Sequence, residues 1–429
     1  MGNDDMTQTP IDSSASVLSR KARLIVLFAA FSGLLFDGIE LGLMPIASGS
    51  VTESLLGGRF TSALAGAWFA RFTAGLMLGA AVGGIVFGAL GDRIGRTRAM
   101  GVSILFYSLF SGMGLLVGSV EQMLVLRFFV GLGVGGMWPN GVALVSECWP
   151  NVSRPTVAGI VGAGLNTGIL LLSQVARIWH ITPDSWRWLF GWCAVPGLLG
   201  IAVLLFVPES PRWLATRARA DKRTAAPLRE LFRPPLLRLM LLGIVLGSIP
   251  MIGAWAASKW MIPWADAVGR AAQQPGYKAL TQGYWAIGAV LGSFFGAQLA
   301  GTLGRRFSYF LISVGSTAFT CGLFLFTAPL QPAFLPTVFA QGFVATLFFG
   351  WLPLYLPELF PTKVRATGSG IAYNIGRFAT AVGVFFAGTL AIWFGGDIAK
   401  VGAVMGLIYS LGIIAIWWAP ETSNKDLPD

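Results

Sequence analysis

The sequence predicts an all-α membrane protein in which twelve transmembrane helices form two pseudo-symmetric six-helix bundles. Three observations carry that reading. Of 429 residues, 55% are hydrophobic and only 11% charged, with a mean hydropathy of +0.70. A soluble domain carries about 25% charged residues, so this chain has too little polar surface for water. Apolar runs of about 20 residues, the length that crosses a bilayer, recur along nearly the whole chain. Finally, the chain repeats itself. ECWPNVSRPTVAG (147–159) and ELFPTKVRATGSG (358–370) share Glu, Pro, Arg and Gly at an offset of 211 residues. FVPES (206–210) matches WAPET (418–422) at 212, and GRTR (95–98) matches GRRF (304–307) at 209. Three near-constant offsets indicate an internal duplication.

Along the chain, a polar tail (1–23) precedes an apolar run of full spanning length. No cleavage site follows that run, so it reads as a retained first helix, 24–46. Charge and Pro/Gly clusters then divide the rest into spans at 63–90, 99–118, 123–147, 156–179 and 187–207. The longest polar break, 208–236, is rich in Arg, Ala and Pro and reads as a cytoplasmic linker. The second bundle, 237–419, holds spans at 237–262, 281–303, 308–328, 335–357, 367–394 and 401–419, and a short tail, 420–429, follows. The first bundle is accordingly 24–207.

Basic residues concentrate in alternate loops: around Arg20, in 93–98, at Arg154, through the linker, at Arg305 and Arg306, and at Lys363 and Arg365. By the positive-inside rule these loops and both termini are cytoplasmic. The net charge of +11 is then a topology signal, and no nucleic-acid partner is expected. Cys148, Cys193 and Cys321 lie in or beside apolar segments without metal or redox spacing and read as packing residues. A single histidine, His180, excludes a His-rich metal site. No cofactor is expected, and the absence of a nucleotide-binding loop excludes an ATP-driven pump in this chain.

GALGDRIGRTR (88–98) resembles the loop signature between the second and third helices of the major facilitator superfamily, and RFFVGLGVGG (127–136) resembles the Arg-plus-glycine stripe of its fourth helix. PESPRWL (208–214), WRWLF (186–190), YLPELFPTKVRATG (355–368) and the terminal PET are similar to the branch containing sugar porters, organic-ion transporters and sialate or lactate symporters. FDGIELG (36–42) with GGMWPNGVALVSE (135–147) also resembles proton symporters of aromatic acids. The resemblance implies a secondary transporter working by alternating access in a bacterial inner membrane, as a monomer, on a small organic solute. The seventh helix, LGSIPMIGAWAASKW (246–260), lacks the paired Gln and Asn of sugar porters. The fifth lacks the Gly-Pro signature of antiporters.

Within this frame the buried charges are functional candidates, because a charge at mid-bilayer costs about 2.5–3.5 kcal/mol or more. Asp37 and Glu40 share one helix face at i and i+3. They stand roughly 21 Å and 26 Å above Arg23 at 1.5 Å per residue. GIE (38–40) falls where sugar porters carry an acid facing the arginine of helix four, so the resemblance pairs Glu40 with Arg127. Two readings stay open for this set: a site that takes up the coupling proton, or an ion-paired latch.

Arg377 lies roughly 18 Å above Arg365, near the bilayer middle. Tyr373 and Asn374, at i−4 and i−3, are expected to face the same cavity. No acid of the second half lies at that depth, so a visiting anion is the expected partner of the guanidinium. The alternative is a packing arginine bonded to backbone carbonyls. Asn166, Gln174 and Trp255 are candidates to line the cavity, with helix packing as their alternative, and Trp138, Trp351 and Tyr355 would suit a flat solute. Lys259 and His180 fall near the outer edge, where Lys259 is expected to snorkel. Asp266, Arg270 and Lys278 are expected in outer loops. By resemblance, Asp92, Arg93, Arg96, Glu147, Arg154, Glu209, Arg212, Glu358, Arg365 and Glu421 form a cytoplasmic ion-pair network that holds the two bundles together when the site faces outward.

The expected function is proton-coupled symport of a small organic anion: a monocarboxylate, aromatic acid or sugar acid. A facilitator or symporter of a neutral or cationic solute is the alternative, with a transporter-like sensor more remote. No constellation for a membrane enzyme is present.

Overall fold

The computed structural model describes residues 18–149, 154–218, 231–234, 236–361 and 364–423. Among them there are helices, turns and bends, and no strand. In lipid a backbone must satisfy its own hydrogen bonds, and helices do so within each segment. Eleven described helical stretches are long and apolar enough to cross a membrane. The helix between the fourth and fifth of these, α5 below, has 25 residues, about 37 Å of rise, and occupies the remaining place in a twelve-span order.

The first half comprises α1 (Arg20–Leu56), α2 (Ser62–Ile94), α3 (Arg96–Gly112), α4 (Val120–Cys148), α5 (Arg154–Ile178), α6 (Arg187–Trp192) and α7 (Pro196–Phe206). A short α8 (Pro211–Ala218) lies within the stretch expected to be linker. The second half comprises α9 (Leu236–Ile252), α10 (Met261–Ala271), α11 (Tyr277–Leu303), α12 (Arg305–Phe326), α13 (Phe334–Glu358), α14 (Arg365–Trp393), α15 (Ile398–Gly406) and α16 (Ile408–Ala415).

Three departures from the expected spans affect the site. Helix α1 runs ten residues beyond 46, because Pro45 is accommodated inside it and the chain stops only at Gly57, where φ is +53°. The span expected at 187–207 is broken before Pro196, which has no N–H to continue the ladder. The span expected at 237–262 is longer and broken: α9 passes into a π turn at Gly253–Ala257, then a 3-10 turn at Ser258–Trp260, then α10. Gly253 is pressed against the Tyr409 ring, and a Cβ there would stand 2.3 Å from it. Single π turns inside α-helices are frequent at functional sites.

Glycine seams hold each half. A Cβ at Gly79 or Gly83 of α2 would stand 2.0 Å from a backbone oxygen of α4, at Phe128 or Leu132. The second half repeats this between α11 and α13, where Gly292 would meet Phe343 O at 2.3 Å. Small residues let helix backbones approach where lipid offers no hydrophobic drive to associate. Between the halves, α2 packs on α14 and α5 on α11.

The duplicated motifs form duplicated caps. Gly95 takes φ +109° so that Glu209 accepts from Thr97 N at 3.1 Å, opening α3. Gly304 takes φ +81°, and Glu421 accepts from Arg305 N and Arg306 N, each at 3.0 Å, opening α12. Burial pushes the Glu421 carboxyl up, but the Arg306, Arg305 and Ser423 donors outweigh it and hold it at about 2. The stabilisation this gives is therefore present above the ordinary glutamate range and lost only as pH falls toward that value.

Candidate functional site

A cavity of about 130 Å³ lies between the halves, bounded by α1, α2, α4 and α5 on one side and by the broken α9 segment, α11, α13 and α14 on the other. Its walls are mostly apolar, with Trp138, Trp255 and Trp285 among them. The ionisable groups that reach it are Asp37, Lys259, Tyr373 and Arg377.

Asp37 projects from α1 where Gly38 draws that helix onto α5. The carboxylate is 1% exposed, and its Oδ1 has no hydrogen-bond partner. Glu40, one turn on, does not line the cavity. Its Oε2 lies 2.8 Å from Arg127 Nη2, with both side chains buried. The two acids of one helix face are thus separated: one is ion-paired behind the cavity wall, and the other is open to the cavity.

Arg377 lines the cavity from α14, but it is not free of partners. Its Nη1 donates to Ala80 O of α2 at 3.0 Å, and the guanidinium lies 5.2 Å from the Tyr373 ring centroid. The expectation of an unpartnered arginine is corrected to that extent. One of its five N–H donors is used, which leaves a fork able to meet an anion.

Tyr373 and Trp255 line the cavity, as does Asn166, whose Nδ2 donates to Ser293 Oγ of α11 at 2.9 Å. Asn374 does not. Its Nδ2 donates to Gly370 O at 3.0 Å, and its oxygen packs on Gly84 of α2, in the seam between the halves. Gln174 is exposed near Gly283 of α11, beyond the cavity, because α5 carries it too far along its axis. Trp351 and Tyr355 are also displaced from the expected solute path. They stack at 4.4 Å and bond to Arg305 O and Pro420 O, each at 2.8 Å.

Lys259 was expected to snorkel at the outer edge, and it does not. The break after α9 turns it into the cavity, 2% exposed, with Nζ 3.1 Å from the Trp285 ring centroid and 5.8 Å from that of Trp255. Its ammonium has no hydrogen-bond partner. The one clue in the sequence was a lysine in an apolar span with no acid one turn away.

At the end of the bundle near the termini, the motif residues pair within each half. Arg96 bonds Asp92 and lies 3.7 Å from Glu147, which accepts from Ser210. Arg305 grips Glu358 at 2.8 and 3.0 Å, and Thr422 donates to Glu358 at 2.6 Å. Arg93 and Arg212 line a polar cleft beside Asp92, and Arg365 donates to Phe360 O at 3.1 Å. The Arg154 side chain and Lys363 lie outside the described residues. The ion pairs of Arg96 and of Arg305 each join residues of one half, because each motif folds back on its own repeat.

The bridging network sits at the opposite end. Arg270 of α10 pairs with Glu53 of α1, forks onto Asp266 at 2.9 and 3.0 Å, and donates to Ser50 Oγ at 2.8 Å. Lys278 of α11 lies 3.1 Å from Asp266 and donates to Ile181 O at 3.1 Å. Asp266, Arg270 and Lys278, expected in outer loops, stand instead on α10 and on an α11 that begins at Tyr277, and the longer α1 brings Glu53 opposite them.

The comparisons with known proteins agree with this architecture. The family model described as sugar (and other) transporter matches residues 27–236 and 272–429. The cis,cis-muconate transport protein of Acinetobacter baylyi is 30% identical, over 77% of this chain and 80% of its own. The probable 4-methylmuconolactone transporter of Cupriavidus pinatubonensis is also 30% identical, over 78% and 77%. Among solved structures, a partially occluded inward-open form of the xylose transporter XylE from E. coli superposes with a TM-score of 0.69 at 18% identity, over 94% of this chain and 100% of its own. The chain therefore belongs to the sugar (and other) transporter family of the major facilitator superfamily, and it is a multi-pass membrane transporter.

Proposed function

We propose that the protein is a proton-coupled symporter of small organic anions, working by alternating access across a bacterial inner membrane with both termini in the cytoplasm. One observation carries the reading: a buried carboxylate with a free oxygen, Asp37, and a guanidinium with free donors, Arg377, reach one cavity from opposite halves. An anion entering beside Arg377 repels an ionised Asp37 and tolerates a neutral one, so solute and proton bind together. The paired Glu40 and Arg127 hold α1 against α4 during the cycle. The solutes in the relatives' names support an organic-acid class: muconate, and a lactone derived from a methylated form of it.

Rocking of the halves about the cavity supplies alternating access. The Glu53, Arg270, Asp266 and Lys278 network closes the outer side, and the symmetric Arg–Glu pairs stiffen each half at the cytoplasmic side. The alternative, a neutral sugar, draws on the family's description and on a relative named as an arabinose-proton symporter. Two cationic side chains in the cavity weigh against it.

The test is a thermal-shift panel of carboxylates, amines and sugars on the purified protein, since a ligand of the folded form raises its melting temperature. A carboxylate should stabilise the wild type and lose its effect in Arg377→Ala. Stabilisation by sugars or amines alone would overturn the anion reading.

A further inference from the structure

We propose that the transported anion carries two acidic groups, one held by Arg377 and the other by Lys259, with a flat apolar body between them against the tryptophan wall. This rests on the organic-anion reading above and narrows its solute to dicarboxylates. Lys259 carries the inference. An ammonium offers three donors, and here none has a partner, although the side chain is 2% exposed and lines the cavity. The Trp285 and Trp255 faces attract the cation but accept no conventional hydrogen bond from it. A buried cation is normally paired and hydrogen-bonded, and the cavity itself is the space in which a partner could stand.

Charge balance points the same way. Arg377 and Lys259 both belong to the second half, and Asp37 belongs to the first. With Asp37 protonated and Lys259 held as an ammonium, the cavity presents two positive charges and no negative one. A monoanion then leaves one buried cation uncompensated, whereas a dianion neutralises both. The cations that would grip the solute travel on one half while the acid that takes the proton travels on the other, so rocking alters the distance between them. Trp138 and Trp255 flank the same space and suit an unsaturated or aromatic body over a saturated polyol.

The experiment uses purified full-length protein with terephthalate, its monomethyl ester and a series of straight-chain diacids, read by thermal shift and by equilibrium binding. The diacid should bind about tenfold or more tightly than its monoester, and the straight-chain series should peak at one length. In Lys259→Met, diacid and monoester should bind alike, at the wild-type monoester level, and Lys259→Arg should restore part of the preference. Equal binding of diacid and monoester by the wild type overturns the proposal without needing any variant to fold. So does an unchanged diacid preference in Lys259→Met. If monocarboxylates bind as well as diacids and respond to Arg377, only the two-acid inference fails. If no carboxylate binds, the anion reading fails with it.

Discussion

Asp37 and Glu40 are three residues apart on one helix face, and their different surroundings predict different mutant behaviour. Removing the Glu40 charge leaves Arg127 buried with nothing to balance it. Breaking a buried pair from one side costs about 3–5 kcal/mol, so Glu40→Gln should lower the melting temperature sharply and depress yield. Asp37 has no ion pair to lose. Asp37→Asn should melt no lower than the wild type, yet fail to accumulate solute in proteoliposomes under an imposed pH gradient. Exchange of solute across the same membrane should persist. Accumulation by Asp37→Asn at the wild-type level would remove the proton role from this residue. The pairing of Glu40 with Arg127 was legible because both carry family motifs at known helix positions. Lys259 was misread because a regular α-helical count was carried through 253–260, where a π turn and a 3-10 turn rotate the face that follows. Gln174 and Asn374 were misplaced for a simpler reason: spacing along a helix shows which residues share a face, but not which neighbour that face meets.

Helix contacts in this protein depend on the absence of side chains. Gly38 lies so close to α5 that a Cβ would stand 1.8 Å from Leu165 O, and Gly168 of α5 has the same relation to Leu35 O. Gly38→Ala should therefore push α1 off α5, costing about 1–3 kcal/mol, and Gly38→Val should cost more. Because Asp37 is the next residue, the displacement also moves the acid relative to the cavity, so transport should fall further than the loss of stability accounts for. A normal melting curve for Gly38→Val would show that the seam yields easily and that the close approach is unimportant. The twelve spans were legible from apolar length, and the duplication from the motif offsets. The helix breaks were not, because apolar composition runs nearly unchanged through 187–207 and 237–262 while the backbone does not. Pro196 and Pro250 were visible in the sequence, but proline alone does not distinguish a kink from an ending. The polar continuations of α1 and α10 were read as loop because VTESLL and ADAVGRA lie beyond the first stretch sufficient to span.

The two ends of the molecule differ in what their ion pairs join, and that difference predicts opposite phenotypes for two arginines. Arg270 links α10 to Glu53 of α1 across the boundary between the halves, whereas Arg305 links α12 to Glu358 of α13 inside one half. An interaction that spans the boundary exists only when that end is closed, so its loss changes the balance between conformations. An interaction inside one half survives rocking, so its loss changes stability alone. The Arg270 and Glu53 side chains are 29% and 39% exposed, so their pair is worth about 1 kcal/mol at most, which is roughly fivefold in a conformational equilibrium. Arg270→Gln in a Ser50→Cys background should raise the labelling rate of that cysteine by a membrane-impermeant thiol reagent about fivefold, with little change in melting temperature. Arg305→Gln should lower the melting temperature and leave labelling at Ser50→Cys unchanged. High salt should reproduce part of the Arg270→Gln effect in the parent protein, since partly exposed pairs are screened. If Arg305→Gln shifted the labelling rate and Arg270→Gln did not, the gate would lie at the end near the termini, where the duplicated motifs first suggested it, and the Arg270 network at the opposite end would be a static brace.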